Sequence, residues 1–371
     1  MTSQASDVSL VTGFPSFPAR SLIRRLLDGD PEERIYLLVR PKGLSEATAF
    51  VDQLEETARA RLTPLVGSVA DLDLGLSGAD YRRLVAEVTA VHHLAAFRSV
   101  SGERGLAERV NVGGTKQLLE LALECGSLRR FCHYSTALVA GGRTGVILEE
   151  ELDAGQRFRD AYEETMFRAE QVVADAVRRL PITVFRPSTI VGDSRSGEID
   201  RFDGPYSLIT LIVTSTLDVQ LPLPGRATAP LHLVPVDFVT EAARTLSRDP
   251  RAVGRTFHLT DPAPFSARSV YELVARHADR RPPRGTFPMA LTRALRHAPG
   301  LGAAVRSPLA FLESLNHSVL YNCRNTLELL DGTGVRCPPL DRYVGVLVDY
   351  VRRVHAARRL RAEEEVFDPF D

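Results

Sequence analysis

Lysine is nearly absent from this chain, and tryptophan is absent altogether. The 371 residues include 46 basic and 47 acidic side chains, but only two of the basic ones, Lys42 and Lys116, are lysines. The formal net charge of -1 excludes a global field that would attract nucleic acid or an anionic membrane. We therefore expect a small-molecule substrate and no nucleic acid partner.

Cysteine and long apolar runs are scarce as well. Four cysteines occur without any C-x-x-C spacing, which argues against a zinc site and against a disulfide scaffold, so no metal is expected. Unpaired thiols are typical of a reducing compartment, and we expect a cytoplasmic location. The first residues lack the pattern of a secretory signal, and no apolar run approaches the ~18 residues that cross a bilayer, so no membrane span is expected.

Apolar, β-rich runs alternate with segments of helical periodicity in the first half of the chain. The runs cover residues 8–12, 34–40, 62–66, 88–94, 130–136 and 182–187. The helical patterns between them include residues 19–27, 111–123 and 161–179. Strands that alternate with helices indicate right-handed βαβ crossovers, so we predict an α/β fold with a doubly wound, Rossmann-like parallel sheet.

The length of the chain predicts a second, smaller domain beside this sheet. We expect residues 1–195 plus about 233–262 to form the dinucleotide-binding domain. Residues about 196–232 plus 263–371 are then expected to form a mostly helical, C-terminal substrate-binding or lid domain. The apolar character of segments 287–295 and 309–315 favours a hydrophobic substrate.

The first strand runs into a turn that is typical of a nucleotide site. Such a turn directs the free N–H groups and the positive end of the following helix at a pyrophosphate. The usual spacing is T-G-x-x-G-x-x-G; here Gly13 is kept, but Ser16 and Ala19 replace the later glycines, and Ser16 puts a side chain where backbone and phosphate approach closely. The expected cofactor contacts in this turn are Thr12, Gly13, Phe14, Pro15, Ser16 and Phe17.

Further candidate cofactor contacts follow the next strands. Arg40 and Lys42 end the second strand, where a cation suits a 2′-phosphate, so NADP is favoured over NAD; an exposed basic strand end is the alternative interpretation. Ser68 stands where a carboxylate would contact adenine. The other contacts expected from position are Val69, Leu94, Ala95 and Ala96.

Three ordered segments, residues 131–140, 162–166 and 185–192, resemble the extended short-chain dehydrogenase/reductases, and within them the fatty acyl and thioester reductase branch. The resemblance implies that Thr136 or Ser135 binds the substrate carbonyl and that Tyr162 transfers the proton. It places Met166 where the family has a lysine. Asn111 is expected to be a helix cap or an active-site strut. Arg186, Pro187, Ser188 and Thr189 are expected beside the nicotinamide. The resemblance also implies a homodimer.

Met166 leaves the function open between three interpretations. An unperturbed tyrosine has a pKa of ~10, and a nearby ammonium would favour its phenolate, which methionine cannot do. The first interpretation is an NADP(H)-dependent reductase or dehydrogenase that acts on a carbonyl or acyl thioester. The second is a non-redox enzyme, an isomerase, dehydratase or cyclase, with Tyr162 as acid or base. The third is a catalytically silent binding or scaffolding protein. Glu163 and Glu164 are expected on a solvated helix face.

Overall fold

A computed structural model describes residues 6–98, 103–214, 223–224, 227–282, 284–288 and 317–366. Apart from residues 287 and 288, the predicted apolar segments 287–295 and 309–315 lie outside these ranges. The chain divides into two compact units. The first comprises Met1–Ser188, Phe238–Thr260 and Tyr321–Arg336, and the second comprises Thr189–Asp237, Asp261–Leu320 and Cys337–Asp371. Residues 321–336, which the sequence analysis assigns to the second domain, belong to the first unit.

The strands of the described residues alternate with helices along the chain. They are β1 (Val8–Thr12), β2 (Arg34–Val39), β3 (Leu62–Val66), β4 (Ala90–His93), β5 (Arg130–Tyr134), β6 (Gly145–Ile147), β7 (Ile182–Pro187), β8 (Thr189–Val191), β9 (Leu223–Pro224), β10 (Leu233–Pro235), β11 (Thr256–Leu259), β12 (Thr286–Phe287) and β13 (Val319–Tyr321). Seven of them form one sheet in the order β11-β7-β5-β4-β1-β2-β3, and every neighbouring pair is parallel. The predicted doubly wound parallel sheet is confirmed.

The helices of the described residues connect these strands. They are α1 (Phe17–Gly29), α2 (Leu44–Asp52), α3 (Glu56–Arg59), α4 (Gly78–Glu87), α5 (Arg104–Ala107), α6 (Gly114–Glu124), α7 (Ala161–Ala176), α8 (Pro205–Thr214), α9 (Val236–Ser247), α10 (Ala267–His277), α11 (Arg324–Leu330) and α12 (Val344–Val366). A π-helical segment, Glu108–Gly113, joins α5 to α6. None of these helices is both long and apolar enough to cross a membrane.

Burial explains why the segments of the first unit form a sheet covered by helices. All five residues of β1 are buried, as expected for a strand covered on both faces of a parallel sheet. The α6 and α7 helices cover the sheet with apolar residues at helical spacing, and Leu118, Leu121 and Val173 are fully buried in the same cluster as Phe131 of β5. Each fully buried side chain of this size contributes about 1.5–3 kcal/mol. The carboxyl ends of the central strands thus lie along one fixed edge.

The end of the fifth strand and the start of the helix after β4 differ from the predicted bounds. The fifth strand ends at Tyr134 rather than at residue 136, because the Thr136 side chain accepts a hydrogen bond from the Leu138 backbone and starts a short 3-10 turn, Ala137–Ala140. The helix predicted to start at residue 111 starts at Arg104 instead. Asn111 lies inside the π-helical segment, so the alternative of a helix cap is wrong.

The second unit has its own apolar core. Its β8 and β10 strands pair in parallel, and so do β9 and β12. Tyr206 and Ile209 of α8 pack in one cluster with Val270 and Val274 of α10 and with Leu347 of α12. The roles of the two units as a dinucleotide-binding domain and a substrate domain stay predictions.

Candidate active site

Gly13 brings the turn after β1 into direct contact with the end of β4. Its φ is +96°, a conformation that favours glycine, and a Cβ atom built there would lie 2.7 Å from the Leu94 carbonyl carbon and 2.9 Å from the Ala95 nitrogen. The Ala95 N–H donates to Thr12 Oγ1 at 3.2 Å. The turn therefore packs directly against the backbone of Leu94 and Ala95, at the carboxyl edge of the sheet.

The start of α1 offers fewer backbone donors than the usual phosphate turn. Ser16 precedes the helix, its N–H donates to the Gly13 carbonyl at 3.0 Å, and its side chain makes no capping hydrogen bond. Pro18, in the first turn of α1, has no N–H. Phe14 is buried, with its ring centroid 5.5 Å from that of Phe50, and Phe17 is buried as well. The turn at Gly13 is kept, but some of the backbone N–H groups that would bind a phosphate at the start of α1 are missing.

Arg40 and Lys42 are exposed at the end of β2. Within the part of the chain that the structure describes, neither side chain takes part in a hydrogen bond or ion pair. The hydroxyl of Ser68 accepts from the Ala70 N–H at 3.2 Å, which leaves its own proton free to donate. Val69 is buried against Gly114, so its side chain belongs to the core and not to a nucleotide contact.

The two adjacent histidines of β4 point in opposite directions and serve different contacts. His92 Nδ1 lies 3.2 Å from the Tyr134 hydroxyl. His93 lies between Thr12 Oγ1 and Thr115 Oγ1, each at 3.0 Å. Because the Thr115 hydroxyl donates to the Asn111 carbonyl, it accepts from His93 Nε2–H. Burial lowers the pKa of His93 well below its usual value, so the ring is neutral and links the glycine turn to the helix behind it.

Tyr162 lies in the first turn of α7, whose start is fixed by a reciprocal pair of caps. The Asp160 side chain accepts from the Glu163 N–H at 2.9 Å, and the Glu163 carboxylate accepts from the Arg159 N–H at 3.0 Å. Glu163 is 3% exposed, so the expectation that it lies on a solvated face is wrong. Burial raises the pKa of the half-buried Tyr162, while the positive charge of Arg98 acts to lower it.

Met166, one turn along α7, is 2% exposed. Its side chain packs in a small apolar cluster with Val139 and Phe167, against which Tyr162 and Phe158 also pack. The position of the family lysine is thus filled by a side chain that stabilises the helix contact and carries no charge.

Ser135 and Thr136 face different surroundings although they are adjacent. Ser135 is buried and donates to Glu170 at 2.6 Å. Glu170 also accepts from Arg186 Nε at 2.9 Å, and Arg186 is 2% exposed. Arg186 therefore points at Glu170 and not into a nicotinamide site, which corrects the sequence-based expectation. The Thr136 hydroxyl instead accepts from the Leu138 N–H at 3.2 Å, which leaves its own proton free to donate.

Asn111 is a strut between the loop after β4 and α7. Its amide donates to the Phe97 carbonyl at 3.1 Å and to Thr165 Oγ1 at 2.8 Å, and its oxygen accepts from the Phe97 N–H at 2.6 Å. Arg98 follows Phe97 in the chain, and its Cζ lies 5.5 Å from the centroid of the Tyr162 ring. Sequence reasoning missed Arg98, because no motif marks it; the missing lysine was the one signal that a cation had to come from elsewhere.

Several features of this edge fit a dinucleotide. Ser188, directly after β7, is 7% exposed, and its hydroxyl has no hydrogen-bond partner among the described residues. Pro187 ends β7, and Thr189 begins the second unit. The close approach at Gly13 and the exposed cations at Arg40 and Lys42 lie on the same edge, since the carboxyl ends of parallel strands coincide. The described residues contain no cluster of His, Cys, Asp or Glu that could hold a metal.

Comparison with known proteins identifies related reductases. Residues 11–243 match the family model described as male sterility protein. A linear gramicidin synthase of Brevibacillus parabrevis is 26% identical over 95% of the chain, and a fatty acyl-CoA reductase of Drosophila melanogaster is 27% identical over 62%. The chain spans only 7% of the first relative and 52% of the second.

A solved structure extends this similarity to nearly the whole chain. The terminal R domain from the myxalamid PKS-NRPS biosynthetic pathway is 25% identical, with a TM-score of 0.79, and the match covers 96% of this chain and 92% of that one. The similarity therefore includes the residues beyond the family match as well as the sheet.

Proposed function

Because the chain belongs to the male sterility protein family of extended short-chain dehydrogenase/reductases, we propose that it is an NADP(H)-dependent reductase of a hydrophobic carbonyl or acyl-thioester substrate. The observation that carries the proposal is the convergence on one phenol. Arg98, in the loop after β4, lies over the Tyr162 ring, and Thr136 follows β5 at the same carboxyl edge of the sheet. Open α/β sheets bind their ligands at this edge.

Residues at the carboxyl ends of β1, β2 and β7 would hold the cofactor. The turn at Gly13 permits the close approach of a pyrophosphate, and the unpartnered Ser188 hydroxyl is available for a hydrogen bond. Arg40 and Lys42 are the cations that favour a 2′-phosphate, which supports NADP over NAD. When bound, the reduced nicotinamide supplies the hydride.

Proton transfer falls to the chain's own hydroxyl groups. Thr136 and Tyr162 would hold the substrate oxygen between them, and Tyr162 would donate its proton as the carbonyl carbon is reduced. Since burial raises the pKa of Tyr162, the phenol is protonated at neutral pH, which is the state a proton donor requires.

The relatives support the proposed substrate class. A fatty acyl-CoA reductase acts on an acyl thioester, as its name states, and the R domain belongs to a PKS-NRPS pathway. We extend the acyl-thioester substrate to this chain as a proposal. The homodimer and the cytoplasmic location stay predictions.

The test is NADPH oxidation with a long-chain acyl thioester and with the matching aldehyde. Tyr162→Phe is expected to lower kcat at least ~100-fold, as loss of a general acid does. Tyr81→Phe is the matched control, because that hydroxyl donates to Glu124 at the surface, and its rate is expected to be unchanged. Equal rates for Tyr162→Phe and the unmodified protein would refute the role of the phenol.

A Met166→Lys variant separates the reductase from a redox-silent protein. We expect the unmodified protein to oxidise NADPH and the lysine variant to change the rate by a modest factor. If NADPH oxidation appears only in the lysine variant, the natural protein is redox-silent and the proposal is wrong.

A further inference from the structure

We propose that Arg98 supplies, from the loop after β4, the positive charge that related reductases place on the catalytic helix, and that it is a positioning residue for proton transfer by Tyr162. This inference rests on the proposed function and adds a residue to the site. It also explains how the chain can work with methionine at position 166.

The geometry is that of a cation over an aromatic face. Arg98 Cζ lies 5.5 Å from the ring centroid of Tyr162, within the ~6 Å at which such contacts are attractive. Arginine suits this place better than lysine, because its planar, weakly hydrated guanidinium stacks on a ring while one side stays in water. Arg98 is itself exposed, so the contact does not need a buried charge.

The loop that carries Arg98 is held in register with the helix that carries Tyr162. Asn111 binds both backbone polar groups of Phe97, the residue before Arg98. The same amide donates to Thr165 of α7, whose hydroxyl in turn donates to the Ala161 carbonyl. One buried side chain therefore holds the backbone next to Arg98 against the helix that carries Tyr162.

The helix itself cannot supply the charge. Met166 fills the lysine position with an apolar contact to Phe167 and Val139. Of the two lysines, Lys42 follows β2, and Lys116 is exposed on α6, where it lines a surface groove with Arg168. Neither is among the groups that act on the phenol.

The other charged groups around Tyr162 either favour the neutral phenol or are paired with an opposite charge. Asp160 and Glu163, on the same helix start, favour the neutral phenol, and Glu163 is paired with Arg159 at 2.7 Å. The preceding helical stretch faces α7 with charges that are already paired, as Arg104 with Glu164 and Glu108 with Arg168. Among the groups that act on the phenol, Arg98 lowers its pKa the most.

This arrangement has a direct consequence for the reaction. As the proton leaves Tyr162 for the substrate oxygen, negative charge develops on the phenol oxygen and the ring. A guanidinium over the ring attracts the phenolate more strongly than the neutral phenol, so it stabilises the transition state more than the ground state.

The kinetic test compares Arg98→Gln and Arg98→Lys with the control Arg104→Gln. Arg98→Gln is expected to lower kcat about tenfold and to leave the KM for NADPH unchanged, and the alkaline limb of the kcat profile is expected to shift up by about 1 pH unit, or 1.4 kcal/mol. Arg98→Lys is expected to restore most of the rate. Arg104→Gln, which removes an exposed partner of Glu164, is expected to change neither.

A titration provides a readout that needs no turnover. In protein labelled with 3-fluorotyrosine, the fluorine lowers the phenol pKa into an accessible range, and a Tyr162→Phe variant assigns the signal among the nine tyrosines. Removal of Arg98 is expected to raise the pH at which this signal titrates, and Arg104→Gln is expected to leave it unchanged.

The outcomes separate the two proposals. If Tyr162→Phe abolishes turnover while Arg98→Gln changes neither the pH profile nor the titration, the role of Arg98 is refuted and the reductase stands. If Tyr162→Phe leaves turnover intact, the proposed function fails, and an Arg98-dependent titration then supports only the electrostatic contact.

Discussion

Replacement of Glu170 by alanine is expected to destabilise the first unit severely. Glu170 is 3% exposed, and its carboxylate binds Arg186 through Nε at 2.9 Å and also accepts from Ser135 at 2.6 Å. Arg186 additionally donates to the Glu151 carbonyl at 2.8 Å, but it has no second carboxylate partner among the described residues. Glu170→Ala thus leaves a buried guanidinium without its counter-charge.

The magnitude follows from burial. Removal of one partner of a buried ion pair costs about 3–5 kcal/mol, because the remaining charge stays desolvated. The lost Ser135 hydrogen bond belongs to the same network and is not added separately. The free energy of unfolding of a typical domain is about 5–15 kcal/mol, so this loss would remove a large part of it. Glu164→Ala, on the same helix, breaks the exposed pair with Arg104 and is expected to cost at most about 1 kcal/mol.

The assay is urea unfolding followed by far-ultraviolet circular dichroism, since the chain has no tryptophan. Glu170→Gln keeps the side-chain volume and isolates the effect of charge, while a Glu170→Met/Arg186→Met double variant removes both charges. We expect the double variant to lose less stability than Glu170→Ala. Equal losses for Glu170→Ala and Glu164→Ala, within about 1 kcal/mol, would refute the electrostatic reasoning.

Three further predictions concern the nucleotide site and the sheet. Gly13→Ala is expected to weaken NADPH binding at least about tenfold by calorimetry, or 1.4 kcal/mol, whereas Gly105→Ala, where a Cβ has open space, is expected to leave it unchanged. Joint replacement of Arg40 and Lys42 by alanine is expected to raise the Kd for NADPH about 10–100-fold but not that for NADH; parallel changes would contradict a 2′-phosphate contact. Burial lowers the pKa of His133 to about 4 from 6.5, so its share of the stability is complete above pH 6.5 and is lost as the pH falls toward 4. The free energy of unfolding is therefore expected to decrease on acidification by up to about 3 kcal/mol less in His133→Phe than in the unmodified protein. The same pH dependence in both proteins would refute this.

Much of the sheet could be predicted from the sequence because inner strands such as β1 and β7 are buried on both faces. The β1, β3 and β7 strands match the predicted bounds, since runs such as Ile182–Pro187 are apolar and end in residues that break strands. Helix starts were harder to predict. Asn111 has the residue type of a cap, but a π-helical segment carries the helix through it.

The charged residues of the site show where local pattern is insufficient. Helical periodicity places Glu163 on a solvated face, yet its side chain is buried and paired with Arg159. The sequence places Arg186 correctly in β7, but the direction of its side chain depends on Glu170, which lies 16 residues earlier in α7. The contact between Arg98 and Tyr162 joins a loop to a helix, and no spacing rule connects the two positions. These features depend on tertiary packing, which the sequence pattern does not specify.

The most direct test of the central claim is the transfer of deuterium to the reduced product from NADPH that carries deuterium at both C4 positions, measured by mass spectrometry with an acyl thioester as substrate. We predict label in the product formed by the unmodified protein and almost none with Tyr162→Phe under the same conditions. NADPH that binds at the Gly13 turn without any label reaching a product would contradict the account.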